Sequence, residues 1–320
     1  MAVHFCLMGA ILYIYSARSS IPFLLFSRYN ADRFTEQRRM DMLTLPEKPD
    51  LTNFAATAVA AMGLKAAPHM SAPVKELTEA LQKNAGGIIE KALFFHADAV
   101  PAYVIEKYPE LFSRVRKATQ LEIPVLSVMP SITPVCFAAM FSGAYPHNNG
   151  VPEYCPPILR DDLVQPAITC STLIDLLTAS GLRTAVVTCS NGCIASMLYG
   201  RGADLYIIPD DDDEAMYQKA AALIEKEKYD ALFLYQLSYD YAMHAYGPEG
   251  EKALEALSKI TQRFGVLSDA IRKAWKDKRV LTVFNSDHGS HATPQGGAHG
   301  EDIPEDMEMR WFFGAFPAGE

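Results

Sequence analysis

The sequence predicts an α/β fold: a mostly parallel central sheet with helices on both faces. Two observations predict it. Seven short apolar runs recur, at Ala92–Ala97, Pro124–Val128, Thr184–Thr188, Leu205–Ile208, Ala231–Leu237, Val280–Asn285 and Trp311–Phe316. Helical patterns alternate with them, among them Thr172–Ser180, Glu214–Glu227 and Glu251–Trp275. Continuous apolar runs of this length, separated by helices, are what strands covered on both faces look like.

The chain opens with residues 1–41. The stretch Ala2–Ala17 is apolar, but Arg18 interrupts it before Ile21–Phe26. It falls short of the roughly 20 apolar residues of a spanning helix and lacks the positive start of a secretory signal. It reads as a flexible leader or an extended reading frame, with a membrane anchor or an export segment as alternatives. Residues 42–90 read as an N-terminal helical segment packing on the core, because Leu51–Gly63 and Val74–Lys83 carry apolar residues at helical spacing. Residues 91–320 then form the main domain.

Composition excludes some functions. With 320 residues, 49% hydrophobic and 21% charged, the chain is an ordinary globular one. Lys and Arg total 29 against 38 Asp and Glu, giving a net charge of −9. Nucleic-acid binding as the main role would need a basic face, so it is not expected. The six cysteines, Cys6, Cys136, Cys155, Cys170, Cys189 and Cys193, are too sparse for a disulfide scaffold. Cys189 and Cys193 lack the second pair of a zinc ribbon. Reduced thiols and a cytoplasmic location are expected, with no membrane role.

In sheets of this kind ligands sit beyond the carboxyl ends of the strands, and polar residues cluster there. Asp98 ends the first of the seven runs, where an acid is a helix cap or a metal ligand. Asp240-x3-His244 follows the fifth; on a helix this spacing puts carboxylate and imidazole on one face. Asp287 and His288 follow the sixth, with Gly289 expected to let the chain turn sharply away. His299 returns eleven residues later in a glycine-rich loop, whereas His291 is expected to face solvent. Thr133 is expected to cap the helix begun by Val135–Phe141, at the positive end that favours an anion. Mixed oxygen and nitrogen donors of this number would complete two metal sites. Two cations there would neutralise phosphate oxygens and lower the pKa of a hydroxyl.

The remaining features read as structure. Asp210–Asp213 is expected to be a solvated loop or helix start. Tyr235, Tyr239, Tyr241 and Tyr246 are expected to pack in the core or at its rim, and Met129, Met140 and Met197 to fill the core. Neither a Walker-type phosphate loop nor a dinucleotide-binding fingerprint occurs.

The ordered set resembles the alkaline phosphatase superfamily, nearest its type I phosphodiesterase/nucleotide pyrophosphatase family. It is carried by Phe94-Phe-His-Ala-Asp98, Pro130-Ser-Ile-Thr133-Pro134, Phe141-Ser-Gly-Ala-Tyr-Pro146, Asp240-x3-His244-x2-Gly247-Pro248, Ser286-Asp-His-Gly289 and His299-Gly300. The resemblance implies a three-layer sandwich over residues 91–320, without a large cap insertion between His288 and His299. It implies that Asp98, Thr133, Asp287 and His288 hold one divalent cation and Asp240, His244 and His299 a second, zinc first, with manganese or iron as alternatives.

Thr133 would be the nucleophile in hydrolysis of a phosphodiester or nucleotide pyrophosphate bond, through a phospho-threonine intermediate. The partner would be a small phosphate ester, nucleotides included. The alternatives are a phosphomonoesterase, a phosphonate hydrolase or a phospho-group transferase on the same core, or a catalytically silent binding or scaffold protein. Departures from the pattern bear on substrate. The family's Asn three residues after the nucleophile, which contacts a phosphoryl oxygen, is Cys136 here, and its Asp-Gly is Asp98-Ala99. Cys136 and Tyr239 are the candidate substrate-binding residues. A sulfatase would need Cys-x-Pro-x-Arg, which neither Cys136 nor Cys155-Pro-Pro-Ile-Leu-Arg160 supplies. The chain also ends six residues after Gly314, which implies a further element of the family fold beyond it.

Overall fold

Phe94 and Phe95, neighbours on one strand, show how the layers are built. Strand side chains alternate between faces. Phe94 meets Phe54 and Phe233 on one side of the sheet, and Phe95 meets Phe264 and Phe284 on the other. Both faces are therefore covered, and the polar ends of the strands are left for chemistry.

The computed structural model describes residues 41–43, 45–153, 168–190 and 193–319, all within the unit Arg38–Glu320. In chain order the strands are β1 Asp41–Met42, β2 Lys91–Ala97, β3 Leu121–Leu126, β4 Thr184–Cys189, β5 Asp204–Ile208, β6 Ala231–Gln236, β7 Val280–Asn285, β8 His291–Thr293, β9 Gly296–Ala298 and β10 Glu308–Phe316. Eight of them form one sheet in the order β1-β3-β10-β7-β2-β6-β4-β5, and β8 and β9 make a separate hairpin. Every neighbouring pair in the large sheet is parallel except those of β10, which runs antiparallel to β3 and β7. Strands β2, β4, β6 and β7 are buried along their whole length, as central strands with two covered faces must be.

The helices follow from local signals. Helix Leu173–Ala179 starts on a capping box, in which Thr172 and Asp175 satisfy each other's backbone N–H groups. Helix Asp213–Glu225 starts where the Asp212 carboxylate accepts from the N–H groups of Glu214 and Ala215. Helix Glu251–Ala274 lays Ala253, Leu257, Ile260, Phe264, Leu267 and Ile271 along its buried face. Helices Asn53–Ala61 and Lys75–Ala85 lie within residues 42–90, with Phe54 set edge-on against Trp311 of β10.

Three expectations need correction. Strand β3 lies earlier than the run Pro124–Val128 suggested, with Pro124 inside it. The Leu126 N–H points to Pro49 O, so the Pro124 nitrogen two residues back faces the same flank. There β1 has already ended, after pairing with Leu121 and Glu122, and no ladder bond is lost. Met129 is 42% exposed rather than core, unlike Met140 and Met197, because it sits in the loop after β3. Gly289 has no left-handed φ. It is needed for close approach, since a Cβ there would collide with the Glu305 carbonyl and its own N–H donates to Asp306 O at 2.8 Å. The expected leader lies almost wholly outside the described residues, as do Cys6 and the Cys155–Arg160 segment. No helix among the described residues is long and apolar enough to cross a membrane.

Candidate active site

The carboxyl ends of β2, β6, β7 and β3 lie along one edge of the sheet, and the chain places a candidate residue after each. Asp98 directly follows β2, and Asp287 and His288 follow β7 past Ser286. Asp240 lies in the first turn of helix Ser238–Tyr246, which follows β6 and carries His244 one turn on. Thr133 is the first residue of helix Thr133–Ser142, reached by a loop from β3. Ile132 rather than Thr133 is the cap, which frees the threonine hydroxyl to point at the site. His299 arrives from the β8–β9 hairpin.

Seven of the nine candidate residues come together, in two groups. Donor atoms of Asp98, Asp287 and His288 lie within 4.8 Å of one another, and so do those of Asp240, His244 and His299. The rings of His288 and His299 stack at 4.1 Å, which sets the groups side by side. Thr133 Oγ1 sits at the first group, 3.1 Å from His288 Nε2 and 3.4 Å from each oxygen of Asp98.

The imidazoles share one orientation. Nδ1 of His244, His288 and His299 faces the carbonyl of Gly297, Gly289 and Ser131 respectively, at 3.1, 2.9 and 3.1 Å. A proton on Nδ1 donated to each carbonyl leaves Nε2 with its lone pair toward the carboxylates, the arrangement of a metal-ligating histidine. The carboxylates match this. Asp240 Oδ1 and Asp287 Oδ2 are buried without a hydrogen-bond partner. Asp240 Oδ1 has His244 Nε2 at 3.4 Å and His299 Nε2 at 3.5 Å, beyond good hydrogen-bond length. Buried carboxylates are costly unless compensated. Two three-donor sets of carboxylate and imidazole therefore fit a pair of divalent cations.

The electrostatics separate the acids. Burial, reinforced by the charges of Asp287 and Asp240, pushes Asp98 well above the usual carboxylate range. Burial also works on Asp240 and Asp287, but neighbouring imidazoles outweigh it: His244 and His299 hold Asp240 down, and His288 and His96 hold Asp287 down. Burial depresses the His288 pKa, which favours the neutral ring, the form that can donate a lone pair.

Two candidates are not brought to the site. Cys136 is fully buried, with its thiol 3.1 Å from Ser127 Oγ and facing the Val128 and Pro130 carbonyls. Those partners occupy the thiol within the core. Tyr239 is also fully buried and donates to Pro248 O at 3.1 Å, so it braces the end of its helix instead of meeting substrate.

His291 does not face solvent as expected. Its side chain is mostly buried and pairs through Nδ1 with Asp306 at 2.8 Å, fixing the base of the hairpin that delivers His299. Asp213 is buried as well, accepting from the N–H groups of Leu237 and Ser238 ahead of the Asp240 helix.

Three further residues lie at the site: Tyr235, expected only to pack, and His96 and Asn285, to which the sequence assigned no role. Tyr235 donates to Asp98, while His96 stacks on Tyr235 and faces Asp287. Asn285 meets His96 Nδ1 at 3.1 Å. The only sequence signal was polarity inside otherwise apolar strands.

The sequence profile of the type I phosphodiesterase / nucleotide pyrophosphatase family matches residues 92–315. Among solved structures, human ectonucleotide pyrophosphatase / phosphodiesterase 5 superposes with a TM-score of 0.56 at 14% identity, over 71% of this chain and 88% of that one. The murine protein of the same name, an inactive threonine-to-alanine variant in complex with AMP, gives 0.51 at 17% identity, over 64% and 59%. Phosphonoacetate hydrolase from Sinorhizobium meliloti 1021, in complex with phosphonoformate, gives 0.48 at 14%, over 63% and 56%. The chain spans about three-fifths of the murine chain's length. The likeness establishes an alkaline-phosphatase-like fold. No curated protein sequence matches the chain.

Proposed function

We propose a reaction for this chain, which belongs to the type I phosphodiesterase / nucleotide pyrophosphatase family: hydrolysis of a phosphodiester or nucleotide pyrophosphate bond with Thr133 as nucleophile. One observation carries the reading. Thr133 Oγ1 sits within 3.4 Å of His288 and Asp98, at the start of a ten-residue helix and beside two cation-competent clusters. Asp98, Asp287 and His288 with Thr133 would hold one divalent cation, and Asp240, His244 and His299 the other. The donor set suits zinc, with manganese or iron as alternatives. Bound there, such cations polarise phosphoryl oxygens and lower the pKa of a hydroxyl or water.

The chain's own residues account for the rest. Three carboxylates line the site, so an anionic substrate enters only where their charge is neutralised. The positive end of the Thr133–Ser142 helix favours the phosphoryl group at Oγ1. Thr133 gives up its hydroxyl proton to solvent and its Oγ1 bonds to phosphorus as the opposite P–O bond breaks. The leaving group departs with that electron pair and takes a proton from water. Phosphorus stays on Thr133, still bearing its second substituent, as a phospho-threonine ester. Water then attacks phosphorus, the P–Oγ1 bond breaks, and Thr133 recovers a proton. The AMP complex of the murine relative, and the inactivity of its threonine variant, support a nucleotide-sized phosphate ester as substrate.

The test is turnover of bis-p-nitrophenyl phosphate beside p-nitrophenyl phosphate by zinc-loaded protein and its Thr133→Ala variant. The diester is expected to be preferred, and the variant to lose on the order of 10³-fold or more of the rate while keeping its metal. Undiminished turnover in Thr133→Ala would overturn the mechanism. A Thr133-dependent preference for the monoester would replace the diesterase reading with a phosphatase one.

A further inference from the structure

A buried polar row lies directly beneath the first cluster. Tyr235 of β6, His96 of β2 and Asn285 of β7 are register partners on three adjacent parallel strands, and so share one face of the sheet. Their side chains are linked across the strands. The rings of His96 and Tyr235 stack at 5.5 Å with an interplanar angle of 15°, and His96 Nδ1 meets Asn285 Oδ1 at 3.1 Å. Surrounding residues are apolar, with Phe137 set edge-on against His96, and all three members of the row are 5% exposed or less. Three polar groups in an apolar layer are expensive unless each has a partner.

The upper edge of the row is spent on the cluster's carboxylates. The Tyr235 hydroxyl donates to Asp98 Oδ2, and His96 Nε2 faces Asp287 Oδ1 at 3.4 Å. The tyrosine takes one oxygen of Asp98, while Asp287 Oδ1 accepts the His288 N–H at 3.1 Å with His96 Nε2 beside it, itself without a hydrogen-bond partner. Asp98 Oδ1 is left toward His288, at 3.4 Å from its Nε2, and Asp287 Oδ2 is left without a partner. Among the described residues the second cluster has no such row, since Asp240 and His244 lie on a helix and His299 follows a hairpin.

We propose that Tyr235, braced by His96 and Asn285, is a positioning residue that fixes which oxygens of Asp98 and Asp287 the first cluster offers to a cation. The row therefore sets cation affinity and coordination at that cluster alone. Tyr235 never meets substrate and acts through Asp98. The inference rests on the proposed cation pair, and its test separates the two. Bound zinc would be counted and its affinity measured by chelator competition for the unmodified protein and Tyr235→Phe, which keeps the ring and loses only the hydroxyl. Absorption spectra of the cobalt(II)-loaded proteins would report coordination directly.

In Tyr235→Phe, one ion is expected to bind about 10–100-fold more weakly, the other to be unchanged, and the cobalt spectrum of the weakened site to shift. His96→Gln is expected to weaken the same ion. Tyr229→Phe, which removes a hydroxyl from Asp204 far along the sheet, should change neither. Two ions bound with unaltered affinity and spectrum in Tyr235→Phe would overturn the positioning role while leaving the cation pair intact. An unmodified protein that binds no zinc would overturn both.

Discussion

The two donor clusters are chemically alike and differently built. Asp98, Asp287 and His288 come from the ends of adjacent strands, are buried, and rest on a polar row fixed by sheet register. Asp240, His244 and His299 come from a helix and a hairpin, and the His244 side chain is 45% exposed. A cluster rooted in strand ends inherits the rigidity of the core. One rooted in a helix and hairpin depends on how those two elements sit together, and that seat is narrow. Gly296 and Gly297 lie so close to the helix that a Cβ on Gly296 would collide with His244 O, and one on Gly297 would come within 2.6 Å of Met243 O. The two clusters should therefore fail separately, each to its own kind of change.

Removing a ligand gives the largest effect. His244→Ala or His299→Ala is expected to lower zinc stoichiometry from two toward one, with the first cluster still loaded. Asp287→Asn should empty the first cluster, weakening its ion by more than the roughly 10–100-fold of an outer-shell change. Zinc counts after dialysis check both, and two ions retained in His244→Ala would erase the second site. Next comes the hairpin seat. Gly297→Ala should push the hairpin off the helix and loosen the Gly297 carbonyl from His244 Nδ1. A loss of about tenfold or more in affinity at the second cluster is expected, with the first unchanged. Equal loss at both would show that the clusters are not independent.

The smallest effect is on stability against pH, measured by thermal melting in chelator. The two histidines should act with opposite sign. The Asp240 carboxylate beside it raises His244 above its usual 6.5, so its contribution is full below about pH 6.5 and is lost as pH rises through the raised value. Burial lowers His288 below the same 6.5, so its contribution is full above that pH and is lost as pH falls toward the lowered value. His244→Gln should flatten the first trend and His288→Gln the second. The same direction for both would contradict the different burial of the two sites.

The contrast also explains what could be read in advance. Asp240 and His244 were legible because i,i+4 spacing on one helix fixes their geometry locally. Asp98, Asp287 and His288 were legible because an acid or imidazole after an apolar strand has few other places to go. Tyr235, His96 and Asn285 were not, because only strand register makes them neighbours, and no single strand carries its register in its own sequence. Asp306 was missed for a related reason: its partner His291 lies across a hairpin whose strands are three residues each, too short to show a pattern. Cys136 and Tyr239 were expected at the substrate on position in the chain alone. Cys136 sits on a helix buried almost all round, where position does not say which way a side chain points.

The central claim is that phosphorus passes through Thr133, and it can be seen directly. Zinc-loaded protein would be mixed with bis-p-nitrophenyl phosphate, quenched in acid within the first turnovers, digested, and its peptides weighed. A nitrophenyl phosphoryl group is expected on the peptide containing Thr133, absent in Thr133→Ala. An unmodified Thr133 peptide throughout, with Thr133→Ala turning over at the full rate, would contradict it.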